Sequence, residues 1–207
     1  MIYPKKNNII RLGFHLYVRF IVARNFNAIN FNSIEIDQDK SILLIANHSG
    51  FWDGFLLYWL RCKLLKKKFH IMLLEETSKR IPVLKYGGAF SIQKKSRDVI
   101  ESLNYAARLL KDRGNIVLIF PQGKLYSNYV TDVAFEKGIM NIMKQASGDF
   151  QLIFSATFIE NFARQKPTAY IYLRSAGQAN FDTISDLQQA YQQHYNYAHE
   201  QQTQIIV

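Results

Sequence analysis

The chain has 207 residues, of which 48% are apolar and 14% aromatic, and this is enough to bury a substantial core within one domain. The formal net charge of +10 favours anionic partners, such as lipid headgroups, phosphates, an acidic carrier protein or nucleic acid. No internal period recurs and no run approaches about 18 uninterrupted apolar residues, which excludes a repeat protein and a membrane-spanning helix.

The single cysteine, Cys62, cannot form an internal disulfide, and no Cys/His group has the spacing of a zinc site. The start of the chain, Met1 to Lys6, lacks the apolar core and cleavage site of a signal peptide. We therefore expect a cytoplasmic protein that needs no metal or other cofactor, in which Cys62 serves packing.

The N-terminal segment predicts an amphipathic helix over about residues 8–26. Arg11, His15 and Arg19 recur every four residues on one face. Apolar residues lie largely elsewhere on the helix: Ile10, Phe14, Val18, Ile21 and Val22. Either the basic face lies on an anionic membrane, or the helix packs on the sheet as a first core helix, and both can hold for different faces.

Strand and helix patterns alternate along the rest of the chain. Short apolar runs predict strands at 42–46, 69–74, 89–93, 116–120, 151–157 and 170–174. Helical spacing predicts helices at 53–66, 77–80, 96–113, 135–146 and about 185–202. This alternation predicts a single α/β domain over residues 1–207, with a mainly parallel or mixed sheet of about six to seven strands flanked by helices on both faces.

The first strand is followed by the sequence Asn-His-Ser-Gly-Phe-Trp-Asp at residues 47–53. His48 and Asp53 thus lie at the carboxyl end of a buried strand, where α/β proteins keep their chemistry. A histidine held by a carboxylate can act as a general base on a substrate hydroxyl. Ser49 is expected to cap the next helix rather than to act as a nucleophile.

A second apolar run, Ile116 to Phe120, breaks into the loop Pro121-Gln122-Gly123-Lys124. Two strand ends therefore offer polar groups. The backbone amides that follow His48, or those of the 121–123 loop, are candidates to hold a developing oxyanion.

With these segments the chain resembles the PlsC-like glycerolipid, or lysophospholipid, acyltransferase family. Four blocks of that family can be placed in order: N-H-x4-D, a G-x-x-x-V-x-R-like segment, F-P-E-G-T and a V-P-V-like strand. They correspond to residues 47–53, 88–94, 120–124 and 152–156. Residues 135–138 are also similar to an F-K-x-G stretch of the family. The resemblance extends over roughly residues 35–195.

The resemblance implies a glycerol-3-phosphate acyltransferase-like fold and transfer of a fatty acyl group from acyl-CoA or acyl carrier protein to the hydroxyl of a lysophospholipid-like acceptor. His48 would be the base and Asp53 would orient it. Four residues would bind the acceptor: Lys94, Gln122, Gly123 and Lys124. Four others would line the acyl or donor pocket: Asn47, Gly50, Phe51 and Trp52. The protein would work at the inner face of the cell membrane.

The chain departs from the family blocks in four ways: Gln122 replaces the usual Glu, Lys124 the usual Thr and Lys94 the usual Arg, and the fourth block lacks its Pro. The departures fall on the acceptor side, so an amine or a secondary metabolite stays open as acceptor. A non-catalytic acyl-binding relative is the second interpretation. Nucleic-acid binding would depend on net charge and scattered aromatics without a recognition motif, and is not expected.

Overall fold

A mixed sheet lies at the centre of the computed structural model, which describes residues 1–93, 98–147, 149–177 and 181–207. The strands of this described part are β1 (Ala28–Phe31), β2 (Ser41–Ala46), β3 (Lys68–Leu74), β4 (Ala89–Ile92), β5 (Asn115–Ile119), β6 (Phe150–Glu160) and β7 (Thr168–Ser175). Their order across the sheet is β1-β7-β6-β2-β5-β3-β4. Neighbouring strands run parallel except for the antiparallel pair β6 and β7, which confirms the predicted mainly parallel or mixed sheet.

Helices connect these strands and lie on both faces of the sheet. They are α1 (Asn8–Asn25), α2 (Asp53–Leu60), α3 (Glu75–Arg80), α4 (Asp98–Leu109), α5 (Gly138–Gln145) and α6 (Ile184–Thr203). A π-helical turn, Arg61–Leu65, extends α2, and a 3₁₀ helix, Pro82–Gly87, precedes β4. The first and last helices begin at side-chain caps: Asn7 accepts from two amides of α1, and Thr183 forms a capping box with Asp186.

Strand β2 is buried over its whole length because helices cover it from both sides. Leu43 and Ile45 pack into the core beneath α4, α5 and α6. Ile42, Leu44 and Ala46 pack into the opposite core beneath α1 and α2. The carboxyl end of β2 therefore opens in the middle of the sheet, between its parallel neighbours β5 and β6.

Helix α1 is apolar on two opposite sides. One side packs on the sheet and α2 through Phe14, Val18 and Val22, as the core interpretation of this segment predicts. The other side exposes residues that our amphipathic pattern did not include: Ile9, Leu12, Leu16 and Phe20. In the described part of the chain, no helix is long and apolar enough to cross a membrane.

Two local predictions were wrong. The sequence patterns did not predict β1, a four-residue strand whose partner among the described strands is β7. Helix α5 begins at Gly138 rather than near 135, and contacts with α6 hold the preceding segment in a non-helical path: Val133 N and Phe135 N donate to the side chains of Gln192 and Gln188.

Candidate active site

The site lies in the loop that joins β2 to α2, at the carboxyl edge of the sheet. β5 runs parallel to β2, with Ile45 opposite Ile119, so the loop after β5 reaches the same edge. β6 lies on the other side of β2, with Ala46 opposite Ser155. The loops after β2 and β5 therefore meet beside β6, which continues as a strand to Glu160, around the residues that follow Ala46.

His48 and Asp53 form a direct hydrogen bond in this loop. Nδ1 of His48 lies 2.8 Å from Oδ2 of Asp53. The Asp53 side chain is buried, with 1% of it exposed, whereas 25% of the His48 side chain is exposed. Because a carboxylate can only accept, Nδ1 carries the proton and Nε2 of the neutral ring is the nitrogen that can accept one. The arrangement thus combines an accessible base with a buried carboxylate that orients it.

The Asp53 carboxylate also holds the backbone of the loop. Its Oδ2 accepts from the amides of Ser49 at 2.7 Å and Gly50 at 2.9 Å, in addition to the His48 ring. Its other oxygen, Oδ1, is buried and has no hydrogen-bond partner among the described residues. Asp53 is the first residue of α2, so its charge also lies at the positive end of the helix.

Ser49 does not cap α2 with its side chain, contrary to our expectation. The residue at the N-cap is Trp52, and it forms no side-chain cap hydrogen bond. Ser49 instead contributes its backbone amide to Asp53. Three of the candidate oxyanion donors are already engaged. The amides of Ser49 and Gly50 donate to Asp53, and the amide of Gly123 donates to the Phe120 carbonyl, so none of the three is free to hold an oxyanion.

Three residues of the loop after β5 contact His48, at its amide, its ring and its carbonyl. Oε1 of Gln122 accepts from the His48 amide at 2.7 Å, and Gln122 is only 4% exposed. The Phe120 ring stacks on the imidazole with centroids 4.1 Å apart and planes 11° from parallel. The amide of Tyr126 donates to the His48 carbonyl at 3.0 Å. Sequence reasoning included Phe120 in a motif block but did not identify its contact with the base.

Asn47 links β2 to β6. Its Nδ2 donates to the Thr157 carbonyl at 3.0 Å, and its Oδ1 accepts from the Thr157 amide at 2.8 Å. Asn47 is buried, with 3% of it exposed, so its amide group braces the strand end and is already satisfied within the protein.

The other predicted pocket residues lie in a more open part of the loop. Phe51 is 63% exposed and contacts Trp52 and Phe55, and Trp52 in turn contacts Phe26 at the end of α1. Among the described residues, and apart from its chain neighbours, no atom lies within 4 Å of the position that a side chain at Gly50 would take, which leaves open space beside the loop.

The predicted acceptor residues are divided between buried, exposed and undescribed positions. Gln122 is buried against His48, whereas Lys124 is exposed and Gly123 adopts a left-handed φ of 65° in the turn between them. Lys94, the fourth predicted acceptor residue, lies outside the described residues.

Comparison with known proteins assigns the family. The family model described as Acyltransferase matches residues 28–159, a segment that begins with β1 and ends near the carboxyl end of β6. The chain belongs to the acyltransferase family. The expected enzyme class, acyl transfer, is thereby confirmed, and His48, Asp53 and Gln122 all lie inside the matched segment.

A solved structure agrees with the fold of this acyltransferase. The 1-acyl-sn-glycerophosphate (LPA) acyltransferase PlsC from Thermotoga maritima superposes with a TM-score of 0.65 at 13% identity, covering 92% of this chain and 79% of that one. The expected PlsC-like fold is therefore confirmed. No curated protein matches the sequence significantly.

Proposed function

We propose that this acyltransferase moves a fatty acyl group from a thioester donor, acyl-CoA or acyl carrier protein, to the hydroxyl of a lysophospholipid-like acceptor at a membrane surface. His48 acts as the general base and Asp53 orients it. The contact between His48 Nδ1 and the buried Asp53 carboxylate is the observation that carries the proposal. It leaves Nε2 available to a substrate on the accessible side of the ring.

The proposed reaction needs no nucleophile from the enzyme. Nε2 of His48 takes the proton of the acceptor hydroxyl as its oxygen attacks the thioester carbonyl carbon. The carbon–sulfur bond then breaks, and the imidazolium returns the proton to the departing thiolate. Asp53 stabilises the imidazolium between these steps, since its negative charge lies 2.8 Å from the ring.

Acceptor binding is assigned to the exposed part of the loop after β5. Lys124 offers an exposed cation, and the half-buried Gly123 forms the turn that leads to it; both follow directly on Gln122, which contacts His48. Lys94 remains a proposed phosphate contact. The Thermotoga maritima protein is named for 1-acyl-sn-glycerophosphate, which supports a lysophospholipid-like acceptor here.

Helix α1 supports the proposed membrane location. Ile9 is 84% exposed and Phe20 60%, and Leu12 and Leu16 lie on the same outer side. An apolar surface of this kind on a basic protein is typical of helices that lie in the interface of anionic bilayers. The end of α1 touches Trp52 through Phe26, so the surface leads toward the loop that carries His48.

Vesicle flotation tests this membrane location. Each apolar side chain that inserts contributes about 1.5–3 kcal/mol, so the double change Leu16→Asp and Phe20→Asp is expected to weaken binding to phosphatidylglycerol vesicles roughly a hundredfold or more. Ile100→Asp is the matched control, because Ile100 is 64% exposed on α4, across the sheet from α1. Equal binding by both variants would contradict the assignment.

Mass spectrometry of lipids in cells that express the wild type or His48→Ala, at matched protein levels, tests the function and identifies the acceptor. We expect one class of acylated product to increase with the wild type and not with the variant. Detection of acylated amines or acylated secondary metabolites instead would show that the acceptor is not a glycerolipid. Identical lipid profiles, together with tight binding of an acyl ligand, would indicate a non-catalytic relative.

A further inference from the structure

Two side chains of the loop after β5, those of Gln122 and Phe120, contact His48 directly. We propose that Gln122 and Phe120 are positioning residues that hold the base for proton transfer, and that Gln122 does not bind the acceptor. The inference rests on the proposed function of His48. It departs from the assignment of Gln122 to the acceptor side that the motif comparison implies.

The burial and bonding of Gln122 support this role. The side chain is 4% exposed, and its Oε1 accepts from the His48 amide at 2.7 Å, a short distance for an N–H···O bond. Because Tyr126 N donates to the His48 carbonyl, both backbone polar groups of His48 are bound by the same loop. An oxygen already engaged below the surface is poorly placed to receive a substrate hydroxyl or phosphate.

Phe120 fixes the plane of the imidazole. The hydrogen bond from Nδ1 to Asp53 leaves the ring free to tilt about that bond, whereas a parallel ring 4.1 Å away prevents the tilt. The aromatic face also favours the positively charged ring that exists after proton transfer. Phe120 is thus expected to act on the direction of Nε2 and on the stability of the imidazolium.

A carboxylate or an amide could perform the task of residue 122. Either side chain presents an oxygen at the same distance from its backbone, so Gln122 can make the contact with the His48 amide without adding a charge there. Gln122→Glu is therefore the conservative variant, and Gln122→Met, of similar length but without a good acceptor, is the disruptive one.

Steady-state kinetics separates positioning from acceptor binding. A displacement of about 1 Å can cost roughly a hundredfold in rate. We expect Gln122→Met to lower kcat about ten- to a hundredfold while the acceptor KM changes less than about threefold, and Gln122→Glu to restore kcat to within about threefold of the wild type. Phe120→Leu should lower kcat in the same way, and Phe120→Tyr should restore it. A rise in acceptor KM at constant kcat would overturn the proposal.

Nuclear magnetic resonance provides a readout that needs no turnover. The amide proton of His48 should be protected from exchange in the wild type and in Gln122→Glu, and should shift upfield and lose protection in Gln122→Met. An unchanged His48 amide in Gln122→Met would overturn the proposal. If the wild type transfers no acyl group to any acceptor, the proposed function fails, and that failure is recognised separately from the state of this amide.

Discussion

Replacing Asp53 by Asn would separate the charge of this residue from its hydrogen bonds. Oδ2 of Asp53 accepts from the His48 ring and from the amides of Ser49 and Gly50. The amide oxygen of Asn should take that position, because an amide nitrogen there would face the two backbone N–H donors of Ser49 and Gly50. The new NH₂ group would then occupy the place of Oδ1, which has no hydrogen-bond partner among the described residues. The tautomer of His48 is therefore retained while the charge is lost.

The size of the effect follows from the short distance in the pair. At 2.8 Å and an effective dielectric constant of about 20, the attraction between Asp53 and an imidazolium is roughly 6 kcal/mol. A neutral hydrogen bond keeps about half the strength of a charge-assisted one, so the transition state should lose about 3 kcal/mol. We therefore expect kcat of Asp53→Asn to fall roughly a hundred- to a thousandfold.

Stability and kinetics together test this reasoning. Asp53→Asn should cost only about 1–3 kcal/mol in the free energy of unfolding, from its buried NH₂ group. Asp53→Ala should cost more, because it leaves three donors without their acceptor: the His48 ring and the amides of Ser49 and Gly50. Urea unfolding and single-turnover acyl transfer measure the two effects. A near-wild-type kcat in a folded Asp53→Asn protein would refute the electrostatic role of Asp53.

Three further substitutions test the fold. Gly88 has a φ of 99° and a side chain there would lie 1.9 Å from the Phe69 carbonyl oxygen, so Gly88→Ala should lose about 3 kcal/mol or more in urea unfolding; a smaller loss would show that the strand shifts easily. Gly13→Ala, where nothing lies within 4 Å, should instead gain up to about 1 kcal/mol through helix propensity, and a loss would contradict this. Burial lowers the pKa of His194 to about 4 from 6.5, so its stabilising contribution is present above pH 6.5 and is lost as the pH falls toward 4. His194→Gln keeps a donor for the Tyr172 carbonyl but does not titrate, so its free energy of unfolding should fall roughly 2–3 kcal/mol less than that of the wild type between pH 7 and pH 4; parallel stability curves would refute this.

The central strands could be predicted because their sequences match their environment. Residues 42–46 form a continuous apolar run, and β2 is buried on both faces. β1 could not be predicted in this way, because none of its four residues is buried and its partner in β7 lies far along the chain, with Ala28 opposite Thr168. The start of α5 was misplaced for a similar reason, since side chains of α6 bind the preceding amides.

The candidate site shows the same division between local and distant information. The spacing of His48 and Asp53 suggested their contact, because one turn of backbone separates them. The contact of Gln122 with the His48 amide joins residues 74 positions apart in the chain, and no local pattern specifies which atoms meet. For α1, apolar residues on opposite sides made the periodicity ambiguous about which side faces the core.

The role of His48 as the base is tested most directly by the rate of acyl transfer from a long-chain acyl-CoA to a lysophospholipid, measured on purified wild type and His48→Ala in vesicles. We expect the variant to remain folded by circular dichroism and to react about a hundred- to ten-thousandfold more slowly. Equal rates in the two proteins would contradict the assignment of His48 as the base.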